Sequence, residues 1–191
     1  MKDQCLIGLL ILSVSIAVGC AREPDTGQAA AGDGTADFIE SAEWQATLEP
    51  VTFEAWQEEL VALHGQVVVV DMWATWCLPC IERFPHMVEL AQKYADQDVE
   101  FVSLCLDDRD DEDSIALAKR FLTEQRARFP NFLMDEVVTQ AFEKLDLLGI
   151  PAVFIYGPDG SLRYRLTGDD PNNQFTDADV DDSIEELLAA T

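Results

Sequence analysis

A pair of cysteines two residues apart follows closely on a run of valines, and this junction constrains the fold more than any other part of the sequence. Residues 67–80 read VVVVDMWATWCLPC. An apolar run of this kind is typical of a strand that is buried on both faces of a sheet. After it, apolar residues recur at helical spacing from position 78 to about position 97. We therefore expect Cys77 at the positively polarised start of a helix, with Cys80 one turn further along.

Such a cysteine pair could belong to a metal site, a structural disulfide or a redox centre. A structural zinc site needs four ligands, but the sequence has no second cysteine pair, and His64 and His86 lack ligand spacing. A disulfide that closes so short a loop would add little stability. Redox chemistry remains. At the start of a helix, the pKa of the Cys77 thiol should fall into the range of roughly 3.5–7.5, and the second thiol can reach back to the first.

The rest of the sequence alternates helix and strand patterns. Strands are predicted at 67–72, 99–106, 152–156 and 162–166, with at most a short extended piece at 132–134. Helices are predicted at 52–63, 78–97, 137–147 and 180–189, and a further one begins at its cap, Asp113. The sequence Gly-Pro-Asp-Gly at 157–160 predicts an antiparallel hairpin between the last two strands. This order indicates an α/β sandwich with a mixed sheet.

The N-terminal part of the chain is predicted to lie outside this fold, leaving 41–191 as one domain. Lys2 precedes an apolar run at 5–18 that is too short to span a bilayer and is typical of an export signal, assigned to 1–19. The run ends in Ala-Val-Gly-Cys, which resembles a bacterial lipoprotein signal in which Cys20 carries the lipid. Residues 20–40 indicate a flexible tether. Plain secretion and an uncleaved membrane anchor are the alternatives, and all three place the domain outside the cytoplasm.

The charge balance is strongly acidic. With 37 acidic and 12 basic residues, the net charge is −25. Nucleic acid is excluded as a partner, because phosphate contacts need clustered Lys and Arg. The net charge indicates either that the protein stays soluble through charge repulsion or that it works in a saline medium. The stretch Asp107–Asp113 is interpreted as a solvated turn, because it lacks the glycine of a calcium-binding loop, and Cys105 as a buried small apolar residue.

Two segments carry a family resemblance. VVVVDMWATWCLPC and, much later, GIPAVFIYGPDGSLRYRLTG resemble the thioredoxin fold. More narrowly, they resemble the extracytoplasmic, membrane-anchored thiol–disulfide oxidoreductases related to cytochrome c maturation factors. The resemblance covers about residues 51–188 and implies a three-layer sandwich with a mixed central sheet. We expect no cofactor and no bound metal.

The resemblance assigns roles to several residues around the cysteine pair. Cys77 would be the nucleophile that attacks a substrate disulfide, and Cys80 would resolve the mixed disulfide. Asp71 matches the buried acid that moves protons to and from the second thiol. Trp73 and Trp76 would flank the site or serve as core aromatics, and Trp76 is the candidate for substrate contact.

The resemblance also assigns a role to the second segment. Pro151 matches the cis-proline that packs beside the thiols. The backbone of Ile150, before it, would then be free to pair with a substrate strand. A trans proline that opens a strand is the alternative.

One position departs from the family pattern and bears on the direction of electron flow. Where relatives usually carry an acid, this chain has Arg83, with Glu82 one place earlier. An arginine near the site would favour a thiolate, but we expect its long side chain to extend into water. The pair Leu78-Pro79 between the thiols lacks a histidine, which makes the disulfide a weaker oxidant.

These observations predict a lipid-anchored, periplasm-facing oxidoreductase that reduces or exchanges disulfides in exported proteins. Its partners would be those proteins, a membrane electron donor and, through the lipid, the membrane surface. One alternative is a module that binds Cu(I) through Cys77 and Cys80. Another is a redox-silent interaction domain.

Overall fold

The computed structural model describes residues 44–170 and 174–190 of the chain. The predicted export signal, Cys20 and the tether lie outside the described residues. Six strands and five helices follow in the order β1 Glu49–Val51, α1 Phe53–Ala62, β2 Val67–Trp73, α2 Leu78–Lys93, β3 Val99–Cys105, α3 Glu112–Gln125, β4 Asn131–Met134, α4 Val138–Lys144, β5 Ala152–Tyr156, β6 Leu162–Thr167 and α5 Asp177–Ala189. No helix within these two ranges is both long enough and apolar enough to cross a bilayer.

The strands form one mixed sheet in the order β1-β4-β3-β2-β5-β6, which confirms the predicted sheet type. The four strands from β1 to β2 run parallel, whereas β5 is antiparallel to β2 and pairs with β6 in the predicted hairpin. Strand β1 was not predicted. It has only three residues, too few to show a pattern, and its pairing with β4 is a long-range contact.

Helices cover both faces of the sheet, so the expected three layers are present. Strand β2 lies at the centre and is buried along its whole length, as its run of valines predicted. Residues at even positions of β2 pack with α1 and α4: Val68, Val70, Met72, Trp56, Ala141 and Leu145. Residues at odd positions pack on the other face with α2, α3 and α5: Val67, Val69, Trp73, Phe84, Leu90, Leu122, Val180 and Ile184.

The start of α3 differs from the prediction. Asp111, rather than Asp113, is the N-cap residue, and one of its carboxylate oxygens accepts hydrogen bonds from the backbone N–H groups of Asp113 and Ser114. Because several acidic residues follow one another here, the sequence alone allows more than one N-cap residue. The cap is the residue that keeps an extended backbone, and here that is Asp111, with φ −97° and ψ 91°.

Candidate active site

The two cysteines lie at the junction of β2 and α2 and are joined by a disulfide bond. Cys77 is the N-cap residue of α2, and its sulfur accepts a hydrogen bond from the backbone N–H of Cys80 at 3.3 Å. The junction exists because the buried strand ends at Trp73 and helical spacing begins at Leu78. Both cysteines are buried, Cys80 more completely than Cys77. Cys77, at the helix start, therefore carries the more accessible of the two sulfurs.

A proline lies directly before β5 and follows a residue that packs with the cysteine pair. The peptide bond between Ile150 and Pro151 is cis, the conformation that the resemblance implies. Ile150 packs against the apolar cluster that contains both cysteines. The backbone N–H of Gly168 donates to the carbonyl oxygen of Pro151 at 2.8 Å. A Cβ atom at Gly168 would lie 3.1 Å from the proline ring, so a larger residue there would require the ring to shift by a few tenths of an ångström.

Asp71 is a buried carboxylate on β2, and 2% of its surface is exposed. It faces α2, where the Nη1 atom of Arg83 donates to its Oδ1 atom at 3.1 Å. Its Oδ2 atom has no hydrogen-bond partner among the described residues. Burial raises the pKa of Asp71 to about 6, because the ionised form loses its hydration. The Arg83 charge opposes this rise, and the carboxylate of Asp177 adds to it.

The expectation that the side chain of Arg83 extends into water is wrong. Only 11% of this side chain is exposed, and it turns inward onto Asp71. Its guanidinium carbon lies 4.5 Å from the centre of the Phe175 ring. Arg83 follows Cys80 by three residues, which places it on the same side of α2. A buried carboxylate within reach of that side then holds the guanidinium, because the charged pair is more stable than either charge alone.

Asp107 is the residue of this site that the sequence interpretation missed. We expected it in a solvated turn, and residues 108–113 are exposed, but Asp107 is only 1% exposed. Its carboxylate accepts hydrogen bonds from the backbone N–H of Thr75 at 3.1 Å, the Thr75 hydroxyl at 2.9 Å and the Cys105 thiol at 3.2 Å. Burial raises the pKa of Asp107. Burial is also the largest cause of the raised pKa of the Cys105 thiol. Its position directly after the predicted strand at 99–106 could have indicated its burial.

The two tryptophans of the motif have different surroundings. Trp73 is fully buried and packs against Phe84 and Phe121, with ring centres 5.2 Å apart in both pairs. Trp76, next to Cys77, is 57% exposed.

Two further large apolar side chains are exposed, one next to Cys77 in the chain and one shortly before Ile150. Leu78 follows Cys77 directly, and Leu148 lies two residues before Ile150. We call Trp76, Leu78 and Leu148 the apolar rim.

The described part of the chain contains no group of three or more His, Cys, Asp or Glu side chains placed to hold a metal ion. The two cysteine sulfurs are bonded to each other, so disulfide formation is the chemistry that this site shows.

A three-layer sandwich with a mixed sheet, a cysteine pair at the start of a helix and a cis-proline directly before a strand define the class of thioredoxin-like proteins. Residues 46–165 match the AhpC/TSA family, and the chain belongs to this family.

Relatives and a solved structure agree with this assignment. The chain is 30% identical to the thiol-disulfide oxidoreductase ResA of Bacillus cereus over 117 residues, which cover 61% of this chain and 64% of that protein. It is 29% identical to the thiol:disulfide interchange protein CycY of Rhizobium leguminosarum bv. viciae over 137 residues, covering 72% of this chain and 65% of CycY. The match thus spans less than two thirds of either relative. A crystal structure from Chlorobium tepidum, described as a thiol:disulfide interchange protein DsbE, superimposes with a TM-score of 0.53 and 28% identity over 69% of this chain and 84% of that one.

Proposed function

We propose that this protein is a thiol–disulfide oxidoreductase in which Cys77 and Cys80 alternate between a dithiol and a disulfide. The observation that carries the proposal is the Cys77–Cys80 disulfide at the N-terminus of α2, packed with Ile150 in one cluster. A helix N-terminus stabilises a thiolate. The names of the relatives, thiol-disulfide oxidoreductase and thiol:disulfide interchange protein, support the same chemistry.

The proposed reaction starts from the dithiol. The Cys77 thiolate attacks one sulfur of a substrate disulfide, and the other sulfur leaves and takes a proton. Cys80 then loses its proton and attacks the Cys77 sulfur, which releases the second substrate thiol and forms the Cys77–Cys80 disulfide. Two electrons and two protons pass to the substrate.

Asp71 is the proposed acceptor for the proton of Cys80. Its carboxylate contacts Arg83, one helical turn after Cys80, and its pKa of about 6 suits a base that works near neutral pH.

We further propose that the protein acts as a reductant on exported proteins, is reduced by a membrane electron donor and is anchored to the membrane surface through a lipid on Cys20. The resemblance to extracytoplasmic oxidoreductases supports the location. The direction is supported by Leu78-Pro79, which supplies no histidine to stabilise a thiolate. Arg83 does not counter this argument, because its charge lies against Asp71.

Three measurements test this function. Cys80→Ala should accumulate mixed disulfides with exported proteins in cells, whereas Cys80→Ala combined with Cys77→Ala should trap none. Equilibration with glutathione should give a reduction potential below about −200 mV, with the protein mostly dithiol in growing cells. A potential near −120 mV, with the protein oxidised in cells, would make it an oxidase. Tight binding of Cu(I) by the reduced protein without insulin reduction would favour the metal-binding alternative.

A further inference from the structure

The side chain of Arg83 is enclosed, and the reaction proposed above assigns it no role. Its guanidinium lies between two carboxylates on different elements: Asp71 on β2, at 3.1 Å, and Asp177 at the start of α5, at 3.7 Å. The Phe175 ring covers it, and its Nη2 atom lies 3.8 Å from the sulfur of Met87. A guanidinium held on several sides cannot rotate freely, so its charge stays directed at Asp71.

Among the described residues, few titratable or charged groups face Asp71. Arg83 faces it from α2, with Cys80 one turn earlier, and Asp177 faces it from α5. Its register partners in the sheet are Ser103 on β3 and Val153 on β5, neither of which titrates near neutral pH. The Ser103 hydroxyl donates to the Asn131 side chain.

A carboxylate in such surroundings resists ionisation. It is buried, one of its oxygens has no hydrogen-bond partner among the described residues, and Asp177 repels it. Within the described residues, the Arg83 guanidinium is the positive charge that contacts it. Without Arg83, the carboxylate would stay protonated to higher pH and could not accept a proton from Cys80 near neutral pH.

We propose that Arg83 is a positioning residue that keeps Asp71 ionisable near neutral pH, and that it thereby sets the pH range in which Cys80 resolves the mixed disulfide. This inference rests on the proposed oxidoreductase function. Asp177 acts against Arg83, because it competes for the guanidinium and repels the ionised Asp71. The start of α5 thus adjusts the second step of the reaction without contacting the thiols.

The two thiols can be followed separately with 5,5′-dithiobis(2-nitrobenzoate). Cys77 of the reduced protein attacks this disulfide and releases one coloured thiolate, and attack by Cys80 on the mixed disulfide releases the second. Rapid mixing at a series of pH values gives the rate of each step as a function of pH, and from it the pH midpoint of each step. Arg83→Met keeps an unbranched apolar stem but removes the guanidinium and its charge. Arg83→Lys keeps the charge, and Arg163→Met removes a cation that pairs with exposed Asp159.

We expect Arg83→Met to move the midpoint of the second step to higher pH by about one unit or more. Arg83→Lys should restore most of this shift, and Arg163→Met should match the wild type. Asp177→Asn should move the midpoint to lower pH, which a loss of packing would not do. In an Asp71→Asn background, Arg83→Met should have no further effect on the midpoint.

Coinciding pH profiles of Arg83→Met and the wild type would overturn the proposal, as would a shift that persists in the Asp71→Asn background. If Arg83→Met does not fold, Asp177→Asn tests the proposal instead. An unchanged pH midpoint of the second step in this variant would overturn the proposal. The proposed function is judged separately by the wild type. A wild type that releases both thiolates and reduces insulin upholds that function whatever the Arg83 variants do.

Discussion

The backbone N–H and the hydroxyl of Thr75 both donate to the carboxylate of Asp107, at 3.1 and 2.9 Å. These bonds join the loop after β2 to the loop after β3. The two loops are adjacent because the strands are parallel and in register, with Trp73 opposite Cys105. Since Thr75 lies two residues before Cys77, Asp107 anchors the segment that leads into the cysteine pair.

Removing this anchor should destabilise the protein. Asp107→Ala leaves the N–H and hydroxyl of Thr75 and the Cys105 thiol without their acceptor. We expect the free energy of unfolding in urea to fall by about 2–4 kcal/mol, since hydrogen bonds to charged groups are stronger than neutral ones. Thr75→Val is the matched control, because it removes the hydroxyl bond alone and should lose about 1–2 kcal/mol. Equal losses in the two variants would show that Asp107 has no role beyond that hydroxyl.

Asp71 should make stability depend on pH. Its pKa rises from 3.8 to about 6 on folding, so the folded state binds more protons than the unfolded state between these values. Stability therefore falls as the pH rises through this window, and the loss is complete above it. Asp71→Asn should remove this pH dependence, so that its stability relative to the wild type rises between pH 4 and pH 7 by at most about 3 kcal/mol. Urea unfolding at several pH values measures the difference, and a constant difference contradicts the assignment.

The apolar rim should matter for protein substrates and little for small ones. Trp76→Ala removes an exposed indole beside Cys77 without opening a cavity in the core. We expect insulin reduction to slow several-fold through a higher KM, while the reaction with a small aromatic disulfide changes little. Val61→Ala, an exposed apolar residue on α1, is the control and should leave both rates unchanged. Equal slowing of both reactions would instead indicate an effect on the thiols.

The excess of acid should make stability sensitive to salt. At a net charge of −25, repulsion between carboxylates outweighs the attraction in the ion pairs, so screening should stabilise the fold. The melting temperature should rise steadily with NaCl from dilute buffer to physiological strength. KCl at equal ionic strength should give the same rise, because screening depends on ionic strength. A melting temperature indifferent to both salts would mean that the charges lie too far apart to interact.

The sequence determined those features that a local pattern can encode. The valine run marked β2, helical spacing marked the start of α2, and Gly-Pro-Asp-Gly marked the β5–β6 hairpin. Each depends on residues that are close in the chain, so its physical cause is visible in a short window. The position of Cys77 at a helix start followed from two such windows side by side.

Only the tertiary structure decided which distant groups meet. Strand β1 exists because β4 lies beside it, and its three residues carry no pattern of their own. Asp107 is buried because the ends of β2 and β3 are adjacent, although an acidic run on its own is expected to be solvated. Arg83 turns inward because Asp71 is buried within its reach. A long charged side chain takes its direction from the nearest opposite charge, and the order of strands and helices, rather than the sequence around it, places that charge.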